Sequence, residues 1–209
     1  MRWLWPASTA LPEIEALRPV PRAQPFDDPG FQFEPQYAGR RALLYLRGPA
    51  AWFQSASGRT APELDPLAWA VRGLLSEEVA ILDGQVVGLD QDGKQAPQVI
   101  PEGGGPLHYA VFDLLWRGRN DLRPRALWSR RLALEQLIPR PSEVLSRVYA
   151  VPEQGRALFR AAERLRYRGI VAKRRSDPYR EGSVWYVIPT REGRRPDSFS
   201  RRSGSSRVR

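Results

Sequence analysis

The sequence predicts an α+β domain, and three observations carry the prediction. Short runs rich in β-branched and aromatic residues are set off by glycine and proline. Other stretches place apolar residues at helical spacing. A length of 209 residues suffices for one well-filled core and is too short for two large ones. After a proline-rich lead-in, strands are expected at 32–36, 41–47 and 52–55, punctuated by Gly39, Gly48-Pro49 and Gly58. A helix is expected over 65–75, where Leu67, Val71, Leu74 and Leu75 share a face. Strands return at 79–89 and 108–116, with a turn at Gln91-Asp92-Gly93-Lys94 between them. A second helix is expected over 129–137 and a third over 152–167, the latter with an apolar stripe of Leu158, Ala161, Ala162 and Leu165. Strands at 169–174 and 184–188 close the domain. This order suits two antiparallel-rich sheets flanked by helices.

Composition narrows the function classes. The net charge is +10 and the isoelectric point near 10.7, which favours an anionic partner, nucleic acid first. Half of that excess sits in residues 191–209, where seven arginines face only Glu192 and Asp197 and no apolar periodicity exists. Such a Ser/Gly/Arg stretch is expected to be a disordered basic tail. No run approaches the roughly 20 apolar residues that span a bilayer. The opening Met-Arg-Trp-Leu-Trp-Pro is broken too early for a secretory leader. With no cysteine there are no disulfides and no thiolate metal sites, which fits a cytoplasmic location. His108, the sole histidine, has no neighbouring histidine or cysteine with which to hold a metal.

Five stretches, in order, carry the chemical signal. Residues 33–45 read Phe-Glu-Pro-Gln-Tyr-Ala-Gly-Arg-Arg-Ala-Leu-Leu-Tyr, and 80–90 read Ala-Ile-Leu-Asp-Gly-Gln-Val-Val-Gly-Leu-Asp. Residues 109–115 read Tyr-Ala-Val-Phe-Asp-Leu-Leu, 168–174 read Arg-Gly-Ile-Val-Ala-Lys-Arg, and 179–189 read Tyr-Arg-Glu-Gly-Ser-Val-Trp-Tyr-Val-Ile-Pro. Together they resemble the adenylation domain of ATP-dependent DNA ligases, in the wording of the bacterial end-joining type. In that family the first stretch contains Lys-x-Asp-Gly-x-Arg, whose lysine amine attacks the α-phosphate of ATP and carries AMP. Here Gln36 stands at the lysine position and Ala38 at the aspartate position. A carboxamide nitrogen has its lone pair delocalised into the carbonyl, so it cannot act as that nucleophile. The family's Leu-Asp-Gly-Glu has become Leu-Asp-Gly-Gln at Gln85. Its metal-holding glutamate before Gly-Ile-Val-Ala-Lys is Arg168, and the two lysines of Trp-x-Lys-x-Lys are Val187 and Pro189.

The resemblance implies the ligase adenylation-domain fold, an ATP-grasp-like nucleotidyltransferase, over residues 1–190. It predicts no oligonucleotide-binding domain after it, only the tail at 191–209. It also implies site residues. Arg41 matches an arginine that contacts ribose or a nearby phosphate, Phe112 matches a ring that stacks on adenine, and Lys173 matches a retained lysine. Each has a plainer reading: a solvated strand arginine, a core aromatic, and a surface charge between Val171 and Arg174. Asp83-Gly84 reads as a backbone turn. Arginine-rich composition accounts for 31 arginines against Lys94 and Lys173, yet it would have turned a lost lysine into arginine, not into Gln36.

These readings lead to one expectation and two alternatives. The expectation is a catalytically inactive ligase homologue that works through duplex or nicked DNA, or through end-joining and repair proteins, with no cofactor and no membrane. Arg191, Arg194, Arg195, Arg201, Arg202, Arg207 and Arg209 would meet the nucleic acid. The first alternative is a pseudoenzyme that binds a nucleotide as a regulatory ligand. The second is residual DNA ligase or adenylyltransferase activity, which would require ATP and magnesium.

Overall fold

Strands and helices order themselves into two flanked sheets: β1 Val20–Pro21, β2 Asp28–Gln36, β3 Arg40–Arg47, β4 Ala50–Ser55, α1 Asp65–Leu74, β5 Val79–Gly88, β6 Leu107–Arg117, β7 Asn120–Asp121, α2 Leu127–Leu137, β8 Leu145–Arg147, β9 Val151–Glu153, α3 Gly155–Arg164, β10 Gly169–Arg174 and β11 Trp185–Pro189. A computed structural model describes residues 11–96, 100 and 105–194, and all these elements lie within them. The five-stranded sheet runs β1-β11-β10-β2-β9, and the six-stranded sheet β4-β3-β5-β6-β7 with β8 also on β6. Pairing is antiparallel except for β1 on β11 and β8 on β6.

Alternation of side chains along each strand lets both sheets bury both faces in part. One face of the six-stranded sheet, with Leu44, Leu46, Phe53 and Leu82, packs under α1 and α2. Its other face, with Leu43, Tyr45, Ile81 and Leu115, meets Tyr179 and Trp185 of the five-stranded half. The outer face of the five-stranded sheet, with Phe31, Phe33, Ile170 and Ile188, is covered by α3 through Ala162 and Leu158.

Several sequence expectations need correction. The helix expected from residue 152 starts at Gly155, because Pro152 is used in β9, paired with Gln32 of β2. Leu165, counted in the apolar stripe, lies past the end of α3 and is 70% exposed. Asp83-Gly84 is not a turn but the middle of β5, at a shift of register against β6. Glycine is required there because the Tyr109 ring crosses the strand: a Cβ on Gly84 would lie 2.6 Å from Cε2 of that ring. The turn at 91–94 is as expected, with the Gly93 amide donating to the Asp90 carbonyl at 3.0 Å and Gly93 at φ 74°.

Three ion pairs lie within this frame, two fully buried and one partly exposed at Arg41. Arg130 of α2 and Asp113 of β6 are both fully buried and joined by two bonds of 2.8 Å. Arg41 of β3 donates to Asp83 of β5 at 3.1 and 2.7 Å. Lys173 of β10 donates to Glu34 of β2 at 2.6 Å. Among the described residues no buried side-chain polar atom lacks a partner, as a dry interior demands. No helix among them is long and apolar enough to cross a membrane.

Candidate functional site

Between the two sheets lies a cavity of about 180 Å³. The five-stranded sheet supplies Glu34, Pro35 and Gln36 from β2, Val171 and Lys173 from β10, and Trp185 and Val187 from β11. The facing sheet supplies Arg41, Gln85 and Phe112. Register explains the grouping: Val171 is paired with Glu34 on one side and Val187 on the other, so their side chains form one row. Two residues on, Lys173 is paired with Gln32 and Trp185.

Six of the residues singled out in the sequence thus converge: Gln36, Arg41, Gln85, Phe112, Lys173 and Val187. Ala38, Arg168 and Pro189 do not line the cavity. The Ala38 amide donates to the Gln95 side chain at 2.6 Å, and Pro189 lies opposite Gly169 at the end of the sheet. Arg168 precedes β10, its guanidinium donating to the Gly193 carbonyl at 3.4 Å. Of the tail arginines, Arg191 and Arg194 are exposed in a turn after β11, whereas Arg195, Arg201, Arg202, Arg207 and Arg209 lie outside the described residues.

The surface-charge reading of Lys173 is overturned. Its ammonium is 1% exposed and sits 3.9 Å from the centre of the Phe112 ring and 4.2 Å from that of Trp185. Burial lowers its pKa, opposed by the Glu34 and Asp113 carboxylates. Glu34 is shared further, accepting from Gln32 at 2.7 Å with Arg131 3.9 Å away. Sequence reading missed Glu34, and its only signal was an acid placed two residues before Gln36 within an apolar strand.

Arg41 is not a solvated strand arginine either. Its guanidinium is held by Asp83, by the Leu17 carbonyl and, at 3.4 Å, by the Tyr179 hydroxyl, and it lies 5.3 Å from both the Phe112 and Trp185 ring centres. Burial works against its charge, but Asp83 more than offsets that and holds it protonated. Gln85 bridges the Tyr37 and Gly39 carbonyls at 3.0 and 2.9 Å, fixing the β2–β3 connection. Its amide is therefore occupied with backbone, a role the glutamate of the family pattern, as an acceptor, could not fill.

The acidic positions of the family pattern carry no carboxylate in this chain. Magnesium takes carboxylate and water oxygens, yet the positions expected to carry acids hold Ala38, Gln85 and Arg168. Among the described residues no group of three or more acidic, histidine or cysteine side chains could hold a metal. The volume is also below the roughly 300–1,000 Å³ usual for small-molecule sites.

No protein-family model matches the chain. It is 28% identical over 152 residues, 72% of its length, to the multifunctional non-homologous end joining DNA repair protein LigD of Mycobacterium tuberculosis. Against the LigD protein of Pseudomonas aeruginosa it is 35% identical over 105 residues, 47% of its length. Mycobacterial DNA ligase D, solved with ATP and MES, superposes with a TM-score of 0.71 at 25% identity, covering 83% of this chain and 60% of that one. The chain is a homologue of the LigD ligase domain. It carries the adenylation fold of ATP-dependent DNA ligases, as the five landmarks predict. It spans only 20% of the length of the mycobacterial LigD proteins and 12% of the Pseudomonas one.

Three tyrosines of the domain make its stability sensitive to alkali. Burial and the neighbouring Tyr167 push Tyr37 up to about 12, and burial and Asp83 hold Tyr109 and Tyr179 well above the usual value. The unfolded chain loses these protons near pH 10, so the contribution is complete below pH 10 and falls as pH rises toward 12. Denaturant midpoints should drop between about pH 10 and 12. The fall should be smaller in Tyr37→Phe, and an unchanged midpoint in the unmodified chain contradicts this assignment.

Proposed function

We propose that the protein is a ligase homologue without adenylyl-transfer activity that works by holding nucleic acid or repair partners. The observation that carries this reading is the content of the inter-sheet cavity: Gln36, Gln85 and Val187 where the chemistry needs an amine, an acid and a cation. Adenylyl transfer needs a nucleophile, a divalent metal on the phosphates and cations around the leaving pyrophosphate. One substitution could be compensated elsewhere, but these fall on every step. The basic charge of +10 and the end-joining repair role in the relatives' names support duplex DNA as partner.

Binding should show little sequence preference and strong salt dependence, because phosphate contacts release counterions without reading bases. Anisotropy of labelled nicked and intact duplexes between about 50 and 200 mM salt tests this. Replacing Arg195, Arg201, Arg202, Arg207 and Arg209 by glutamine should flatten the log–log slope by up to about 0.9 for each phosphate that is no longer neutralised. No binding to either duplex by the unmodified chain would leave protein partners as the function.

One observation favours a second reading, a reversibly bound nucleoside. Glu34 and Lys173 put an acceptor and a donor beside the Phe112 ring, the functional groups that a purine edge and face would meet. In the present geometry that carboxylate and ammonium bond each other at 2.6 Å, and the ammonium lies over the ring. A nucleoside would have to displace it.

A further inference from the structure

Several arginines that the cavity does not use cluster in sequence around α3, the α3–β10 connection and the turn after β11. On α3, Arg156, Arg160 and Arg164 recur every four residues, on one face about 6 Å apart along the axis. All three are exposed. After the helix Arg166 takes the left-handed conformation, φ 59°, and is likewise exposed. The connection into β10 is then stapled to the turn that follows β11. The Thr190 amide donates to the Arg168 carbonyl at 2.9 Å, its hydroxyl donates to the Tyr167 carbonyl at 2.6 Å, and the Arg194 amide donates to the Thr190 carbonyl at 3.1 Å. Gly193 lies so tightly against the Arg168 backbone that a Cβ there would overlap it. The turn that carries Arg191 and Arg194 is thereby fixed beside the connection from α3 into β10.

Positive charge is in excess at this edge. Arg160, Arg164, Arg166, Arg191 and Arg194 are exposed, and the acids among them are Glu163, exposed, and Glu192, half-buried. Among the described residues none of Arg160, Arg164, Arg166 and Arg191 stands in an ion pair, whereas Arg117, Arg123 and Arg147 each have a carboxylate within 3.4 Å. Guanidinium groups so placed suit phosphate oxygens, which accept their paired N–H bonds. The edge also borders the cavity, because Gly169 at the start of β10 is paired with both Gln36 and Pro189.

We propose that Arg160, Arg164, Arg166, Arg191 and Arg194 form the track on which this protein grips the phosphate backbone of duplex nucleic acid. The track is separate from the inter-sheet cavity and from the arginines beyond position 194. It rests on the nucleic-acid reading above and gives that reading a fixed surface: a strand held here runs past the Gln36 end of the cavity. The tail adds charge to this grip, and the track sets where on the protein the duplex lies.

The test uses the 209-residue chain and a labelled duplex of mixed sequence, with anisotropy read between about 50 and 200 mM salt. The variant Arg160→Ala/Arg164→Ala/Arg191→Ala is compared with Arg47→Ala/Arg59→Ala/Arg119→Ala, which removes the same charge from exposed sites elsewhere. Thermal unfolding shows that both remain folded. The track variant should lose affinity at least about tenfold at the low-salt end, and its log–log slope should be shallower by up to about 0.9 for each phosphate released from an arginine. The control should stay within about twofold of the unmodified chain on the same scale. Equal losses in both variants would reduce the effect to net charge and overturn the track. Unchanged binding by the track variant would overturn it too, leaving the nucleic-acid reading intact. Absence of binding by the unmodified chain would overturn that reading itself, and the track with it.

Discussion

Incubated with ATP and magnesium, the chain should gain no AMP mass, and Gln36→Lys alone should not restore nick sealing. The first result follows from residue chemistry: the Gln36 nitrogen has no free lone pair with which to attack phosphorus. The second follows from the cavity. A lysine at position 36 would face Val187 instead of a cation, and no carboxylate-held metal, because Ala38, Gln85 and Arg168 stand at the acidic positions. Groups that stabilise developing charge are typically worth about 10²–10³ in rate each, so restoring one of several leaves the reaction many decades short. ATP affinity should be weak for the same reasons, within a cavity of about 180 Å³ already occupied at the Phe112 face by Lys173. Intact mass spectrometry and calorimetry are the checks. An adduct of one AMP on the unmodified chain would overturn the inactive reading. Micromolar, magnesium-dependent ATP affinity would favour the regulatory nucleotide reading instead.

Asp113→Ala should be the most destabilising simple substitution in the chain. Arg130 is fully buried, and its guanidinium divides between the Asp113 carboxylate, at 2.8 Å twice, and the Arg125 and Asp177 carbonyls at 2.6 and 3.1 Å. Asp113 also accepts from its neighbour, the Leu114 amide, at 2.9 Å. Removing the carboxylate strands a buried cation, which costs about 3–5 kcal/mol. For a chain of this length that corresponds to a fall of roughly 6–20 °C in Tm. Arg130→Met should cost a similar amount. The double variant should lose much less than the sum of the two, because no charge is then left unpaired. The pair ties α2 to β6 and, through the Asp177 carbonyl, to the loop before Tyr179, so its loss should also loosen the cavity wall at Phe112. A loss below about 1 kcal/mol in either single variant would show that the site hydrates or relaxes.

What depends on residue type or on neighbours in the chain is legible in the sequence: the strand runs of β2, β3, β5, β6 and β10, the turn at 91–94 and the loss of an amine at Gln36. A carboxamide lacks a nucleophilic lone pair wherever the fold puts it. What depends on partners distant in sequence is not legible there. Lys173 reads as a surface charge from its own neighbours. It becomes a buried ammonium only because β10 lies between β2 and β11, which brings Glu34 and Trp185 against it from positions far away in the chain. Arg41 finds Asp83 only through the register of β3 on β5, where Ala42 is opposite Gly84. Helical spacing places Leu74 and Leu165 on apolar stripes, yet they are 52% and 70% exposed, because each lies where its helix is ending and no neighbouring element covers it. Local chemistry determined what the Gln36 position can no longer do, while long-range strand pairing decided which side chains share its cavity, since pairing energies between remote strands are set by register and burial and leave no mark on either strand alone.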